Sequence, residues 1–267
     1  MATLTKSCVA TAAGFTLEDV RCDCRRSSWS APEATSSYAI VFVRRGCFRR
    51  RVNGVESTVD TATVYFERPG EEQQVAHPCD GGDACTQLAL PYDFACLLPT
   101  RPPRLRLTTA AVDLAHRLLL RSSLAAGDEF EFADRAVALA TEVLMPVESR
   151  PQAVVRPSTA ALRRRAVDVA REAITADPGC GLVELARAAA VSPHHLSRIF
   201  RSETGETVSR YRNRVRVRLT LERLAEGERH LAQLAAELGF ADQAHLARVV
   251  RKEVGRTPSA LRSALAA

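Results

Sequence analysis

Residues 195–212 read HLSRIFRSETGETVSRYR, and residues 245–262, fifty positions later, read HLARVVRKEVGRTPSALR. Nine of the eighteen aligned positions are identical. Self-similarity at a fixed period means that one small structural unit is built twice. Each copy follows a short apolar helical stretch and a turn, so the unit reads as a helix-turn-helix. Two such units side by side point to a protein that reads two neighbouring stretches of DNA groove.

Working outward, everything from Ser158 onward has helical period. Ser158–Ala176 ends at Asp177-Pro178-Gly179, and Leu182–Ala190 follows. Ser192-Pro193 supplies an N-cap and an N1 proline for a helix that stops at Gly205. Thr207 caps a longer helix through Leu224, which Gly227 stops. The second copy repeats the order: Leu231–Leu238, a turn at Gly239-Phe240, a cap at Asp242, a C′ glycine at Gly255 and a terminal helix opened by Thr257-Pro258.

A recognition helix needs an apolar face toward its own domain and a polar face that reaches base edges. Leu196, Ile199 and Phe200 form the first inner face; His194, Ser197, Arg198 and Arg201 share the outer one. In the second copy Leu246, Val249 and Val250 face inward. Ala244, Ala247, Arg248 and Arg251 face outward, with Gln243 beside them. An arginine at the middle of each outer face suits bidentate pairing with guanine. Arg201 and Arg251, further along, suit phosphate. His195 and His245 stand beside the apolar faces and read as structural. Between the copies Val208, Tyr211, Val215 and Leu219 keep helical spacing. The alternating Arg210, Arg212, Arg214, Arg216 and Arg218 then flank a joining helix, mostly as solvated side chains.

Charge follows the same division. From Ser158 to the end there are 19 Lys+Arg against 12 Asp+Glu, whereas residues 1–157 hold 18 and 19. A basic back half behind a near-neutral front half suits a polyanionic partner. No run of 18 apolar residues and no signal-peptide pattern occurs, so a cytoplasmic location is expected.

The front half alternates short apolar runs with turns: Tyr38–Val43, Phe48–Val52, Val55–Val59, Ala62–Phe66, Gln73–Ala76 and Cys85–Leu90. Asn53-Gly54 is a strong hairpin signal. Strands this closely spaced predict a small barrel or sandwich. Thr108–Leu124 and a stretch from Asp128 to about Leu144 then turn helical. Residues 146–157 (PVESRPQAVVRP) read as a linker.

The run SPHHLSRIFRSETG, then YRNRVRVRLTLERL, then LAQLAAELGFADQAHLARVVRKEVGRTPSALR resembles the DNA-binding domain of the AraC/XylS family of bacterial transcription regulators over about Leu182–Arg262. The resemblance implies two recognition helices in successive major grooves, joined by a long helix. It places base-reading positions at His194, Ser197 and Arg198, and at Gln243, Ala244, Ala247 and Arg248. The front half is similar to the cupin-like sensor domain of many such regulators. The implied fold is α+β: an N-terminal small β-barrel with two following helices (1–145), the linker, and an all-α domain of two helix-turn-helix units (158–267). The resemblance further implies a transcription activator with double-stranded DNA and RNA polymerase as partners. It implies a homodimer paired through helices 108–124 and 128–144, and control by a small-molecule, metal or oxidant effector.

Seven of the eight cysteines fall within the first 96 residues. Cytosolic thiols are kept reduced, so clustering suggests metal or redox chemistry beside ordinary burial in a core. The candidate set is Cys22-x-Cys24 with His77-x-Cys79-x5-Cys85, a thiolate and imidazole combination suited to Zn²⁺ or another thiophilic ion. Core, metal and redox readings all remain open at this level, and no other cofactor is called for. An enzyme is not expected, because a cupin-type catalyst needs a His/Glu cluster and His77 is the only histidine before His116. The alternative is a regulator resembling the Ada methyl-accepting repair proteins, using the N-terminal cysteines.

Overall fold

The apolar run at Tyr38–Val43 becomes a strand buried on both faces, and that sets the layering. The structure, a computed structural model, describes residues 4–23, 28–77, 82–96, 105–124, 128–144 and 157–265. The front half runs β1 (Leu4–Ala12), β2 (Phe15–Cys22), β3 (Glu33–Ala34), β4 (Ala39–Arg45), β5 (Cys47–Val52), β6 (Val55–Asp60), β7 (Thr63–Glu67), β8 (Glu72–Ala76), β9 (Asp83–Ala89), α1 (Tyr92–Cys96), β10 (Leu105–Leu107), α2 (Ala110–Leu124) and α3 (Glu129–Leu144). Behind it come α4 (Pro157–Ala176), α5 (Leu182–Ala188), α6 (Pro193–Thr204), α7 (Val208–Ala225), α8 (Leu231–Glu237), α9 (Gln243–Val254) and α10 (Pro258–Leu265).

One sheet has the order β1-β2-β9-β4-β7-β10 and the other β3-β8-β5-β6. Side chains alternate across a strand. Val41 and Val43 of β4, with Tyr65 and Cys85, therefore meet Phe48 and Val59 of the second sheet. Ile40 and Phe42, with Val64, Phe66 and Leu88, meet Val112 and Leu119 of α2 and Phe132, Ala136 and Leu139 of α3. The large sheet thus has the small sheet on one face and two helices on the other, which is why β4 reads as a continuous apolar run rather than an alternating one. The Asn53-Gly54 hairpin forms with both residues at positive φ (46° and 79°), pairing Val52 with Val55.

The fold class is α+β, but the expected barrel does not close. Among the described residues no ladder joins the two sheets, whose edge strands are β1, β10, β3 and β6. The β1–β2 hairpin extends the large sheet sideways instead of curling it shut. The expected linker at 146–157 lies outside the described residues except for Pro157, the first residue of α4.

The helical region docks on the front half, and it engages side chains that the sequence reading left for other work. Helix α2 was expected to pair with a second copy, yet Leu114 enters the core formed by Val217, Leu221, Leu234 and Leu246. Helix α3 presents Phe130 (82% exposed) and Val137 outward, and Leu124 at the end of α2 is exposed beside it in sequence. The α7 arginines were expected to be solvated, yet Arg216 and Arg218 are buried. Arg218 donates to the Thr108 carbonyl at 2.8 Å and to the Thr108 hydroxyl. Arg216 donates to the Pro178 carbonyl at 2.9 Å, and burial together with neighbouring Arg212 pushes its guanidinium down to about 10. Arg212 donates to the Cys180 carbonyl at 2.6 Å, and Arg214 pairs with Glu206. These side chains hold α7 in place and are not spare cations for phosphate.

Two buried ionic clusters make the joint. In the first, Arg117 of α2 bonds Asp113 Oδ2 at 3.1 Å, Glu222 of α7, and the Arg218 carbonyl at 3.3 Å. Arg44 of β4 pairs with Asp19 and reaches Glu222 Oε1 at 3.7 Å. In the second, Asp60 of β6 accepts from Arg171 of α4 at 3.0 Å and from the Tyr211 hydroxyl of α7. Arg49 of β5 adds a two-pronged pair with Glu172 of α4, at 2.9 and 3.2 Å.

Candidate nucleic-acid interface

Each recognition helix is delimited by local chemistry. The Ser192 hydroxyl accepts from the His195 amide at 3.2 Å, and the Asp242 carboxylate accepts from the His245 amide at 2.6 Å. At the far ends Gly205 and Gly255 take left-handed conformations (φ 78° and 77°), donating to the Arg201 and Arg251 carbonyls. The inner faces are buried as expected at Leu196, Ile199, Phe200, Leu246 and Val250, with Val249 half-buried.

The outer faces carry the expected residues. His194, Arg198 and Arg201 on α6 are exposed and Ser197 is half-buried. On α9, Gln243, Ala244, Arg248 and Arg251 are exposed and Ala247 is half-buried. The helices before them, α5 and α8, end in matching turns. Val191 donates to the Ala186 carbonyl at 3.0 Å, and Phe240 to the Ala235 carbonyl at 2.8 Å. Those pairs are 49 residues apart, whereas the recognition helices are 50 apart. The second turn therefore contains one extra residue, Ala241.

That insertion gives the two equivalent histidines different work. His245 Nδ1 accepts from the Ala241 amide at 3.2 Å, satisfying the backbone group that the longer turn adds, and its ring stands on Phe240. Freed of that task, His195 Nδ1 meets Arg198 Nη2 at 3.1 Å. His245 is structural, as the sequence suggests. His195 instead steadies the central arginine of the first unit, a role the sequence reading missed.

The cysteine set divides. Cys24 and Cys79 lie outside the described residues. Cys22, at the end of β2, is buried, as is Cys85 on β9. Sequence reasoning missed Asp83, which is the register partner of Cys22. His77 Nε2 lies 2.6 Å from Asp83 Oδ1, and the Cys85 thiol donates to Asp83 Oδ2 at 3.5 Å. One donor atom each from Cys22, His77 and Asp83 lies within 4.8 Å of the others. Burial, reinforced by the Asp83 carboxylate, pushes the Cys85 thiol well above its ordinary value. A thiol so held carries little thiolate, the form that reacts with oxidants.

Among the described residues no helix is long and apolar enough to cross a membrane. A helix-turn-helix domain family matches residues 185–264, from the middle of α5 into α10. The "HTH-type transcriptional regulator Rv1931c" of Mycobacterium tuberculosis is 32% identical over 116 residues. That match covers 39% of this chain and 45%, less than half, of the relative. "Regulatory protein SoxS" of Salmonella typhimurium is 35% identical over 81 residues, covering 30% of this chain and 76% of that protein. Among solved structures, ToxT from Vibrio cholerae aligns over 94% of this chain and 99% of its own, with TM-score 0.37 and 11% identity. With both capped recognition helices in place and SoxS matched over three quarters of its length, the chain belongs to the AraC family of helix-turn-helix transcription regulators.

Proposed function

We propose that the chain is a sequence-specific transcription activator whose helices α6 and α9 enter successive major grooves on one face of DNA. The observation that carries this reading is the pair of equivalently capped helices with Arg198 and Arg248 at the same exposed position of each repeat. His194, Ser197 and Arg198 read bases in one groove; Gln243, Ala244, Ala247 and Arg248 read the next. Arg201 and Arg251 contact phosphate. Residues 1–145 form the sensing and dimerising part and 158–267 the reading part, joined through 146–157. RNA polymerase is the further partner. The dimer face is centred on α3, with exposed Phe130 and Val137, since Leu114 of α2 is taken up by the core of the helical region.

The first unit specifies more sequence than the second. Ala244 and Ala247 offer only apolar contact, as to a thymine methyl, while Arg198 is steadied by His195. Arg198→Ala is expected to cost about 1–3 kcal/mol of specific binding, the worth of one bidentate arginine–guanine pair. Arg248→Ala is expected to cost less. Titrating both variants against duplex DNA selected from a random pool checks the ranking, and the reverse order refutes it. Arg201→Ala is expected instead to weaken binding to all sequences alike and to flatten the salt dependence by about one counterion.

A further inference from the structure

We propose that Cys22, His77 and Asp83 form a binding site for one thiophilic divalent cation of the Zn²⁺ class, set between the two sheets of the N-terminal half. It rests on the reading of that half as the sensing part, and it names the ligand class.

Strand register brings the donors together. Cys22 closes β2 and Asp83 opens β9 directly opposite, so both side chains leave the same face of the large sheet. That face is the one turned toward the small sheet, which delivers His77 from the end of β8. Backbone is packed closely around the cluster. A Cβ on Gly82 would stand 2.3 Å from the Cys22 carbonyl oxygen, and one on Gly46 would stand 2.4 Å from the Gly82 oxygen. Both glycines also have positive φ, at 67° and 88°.

The chemistry of the set favours a borderline ion. A thiolate, an imidazole and a carboxylate form a mixed S/N/O donor group, which suits Zn²⁺ better than a hard cation that takes oxygen alone. The donor atoms lie within 4.8 Å of one another, so a shift of about 1 Å closes them onto Zn–S and Zn–N bonds of about 2.3 and 2.0 Å. Binding releases the Cys22 thiol proton to solvent and replaces the His77–Asp83 hydrogen bond by two metal bonds. Among the described residues three side chains supply ligands. Cys85, donating to Asp83, is a positioning residue that orients the carboxylate.

The site also has a route to the reading units. Arg44 Nη2 donates to the Cys85 carbonyl at 3.3 Å on the opposite face of the same sheet and pairs with Asp19, while Nη1 reaches Glu222 of α7. An ion that tightens Cys22 against Asp83 bears on the strand end where Arg44 holds α7.

The test is a Co²⁺ titration of the chelator-stripped full-length protein, without DNA, followed by displacement with Zn²⁺. One Co²⁺ per chain is expected, with a sulfur-to-cobalt charge-transfer absorption. Cys22→Ser is expected to lose that absorption and to weaken uptake at least about tenfold. The exposed Cys8→Ser and Cys96→Ser variants retain both. Far-UV circular dichroism and a cooperative melt check that Cys22→Ser folds, and Asp83→Asn supplies the same affinity readout if it does not. No stoichiometric uptake by the wild type, or unchanged absorption and affinity in Cys22→Ser, overturns the site. Uptake with DNA affinity unaltered by the ion keeps the site but overturns its sensing role, leaving DNA reading to stand on the Arg198 titration.

Discussion

Asp60→Ala is expected to lower folding stability by about 3–5 kcal/mol, the usual cost of removing one partner from a buried ion pair. Asp60 is fully buried, and its two oxygens serve three elements. Oδ1 accepts from the Ala62 amide at 2.9 Å, fixing the β6–β7 turn. Oδ2 accepts from Arg171 of α4 and from the Tyr211 hydroxyl of α7. Without the carboxylate the Arg171 guanidinium is left buried against apolar neighbours. Its remaining carboxylate, Asp168, is 3.5 Å away and partly solvated. Burial alone would lower the Arg171 pKa, yet Asp60 and Tyr211 hold it above the ordinary arginine value. The folded state therefore depends on that charge pair. Asp60→Asn keeps the acceptor for the Ala62 amide, can donate its amide N–H to the Tyr211 oxygen, and should lose less. Urea unfolding of the two variants decides the matter: a loss below about 1 kcal/mol for Asp60→Ala would mean that the cluster relaxes onto water, and that α4 is only loosely held on the sheets.

Local chemistry was readable from the sequence and distant partnership was not. Caps are set within four residues, so Ser192, Thr207, Asp242, Gly205 and Gly255 all act as the sequence suggests. The Asn53-Gly54 turn is equally local. Arg117 and Glu222, by contrast, are 105 residues apart, and nothing near Glu222 announces a buried arginine. For the same reason the α7 arginines were read as mostly solvated side chains, and the packing of Leu114 of α2 into the helical region was not foreseen. Asp83 escaped notice because only strand register sets it opposite Cys22. The different fates of His195 and His245 were missed, although the spacing carries a signal for them. Leu185 and Leu196 are 11 residues apart while Leu234 and Leu246 are 12 apart, so the second turn had to satisfy one more backbone amide.

Arg117→Met, a substitution of similar reach without charge, is expected to cost about 3–5 kcal/mol at neutral pH. Arg117 lies between two buried carboxylates, Asp113 on its own helix and Glu222 on α7. Burial by itself would raise both carboxyls, but Arg117, helped by His116 and Arg218 at Asp113 and by Arg44 at Glu222, holds both below the ordinary carboxylate range. In the wild type that contribution is complete above the ordinary glutamate value and is lost only as pH falls through the lower folded value. In Arg117→Met the balance at Glu222 reverses, so its folded pKa moves up and its charge becomes a burden that protonation removes. The stability gap between wild type and variant should therefore narrow as pH falls from 7 toward about 5, where a raised carboxyl takes up its proton. Adding Glu222→Leu should recover most of the loss at neutral pH, because a buried ion pair replaced on both sides by apolar groups is often neutral. A gap that stays constant with pH, or a double variant as unstable as the sum of the two single ones, would show that Arg117 acts through packing alone. If the expected pattern holds, the doubly apolar joint is stable but no longer has the charge pair that fixes how α2 sits on α7. Its DNA titration then tests whether the joint sets the position of the reading helices as well as holding the two halves together.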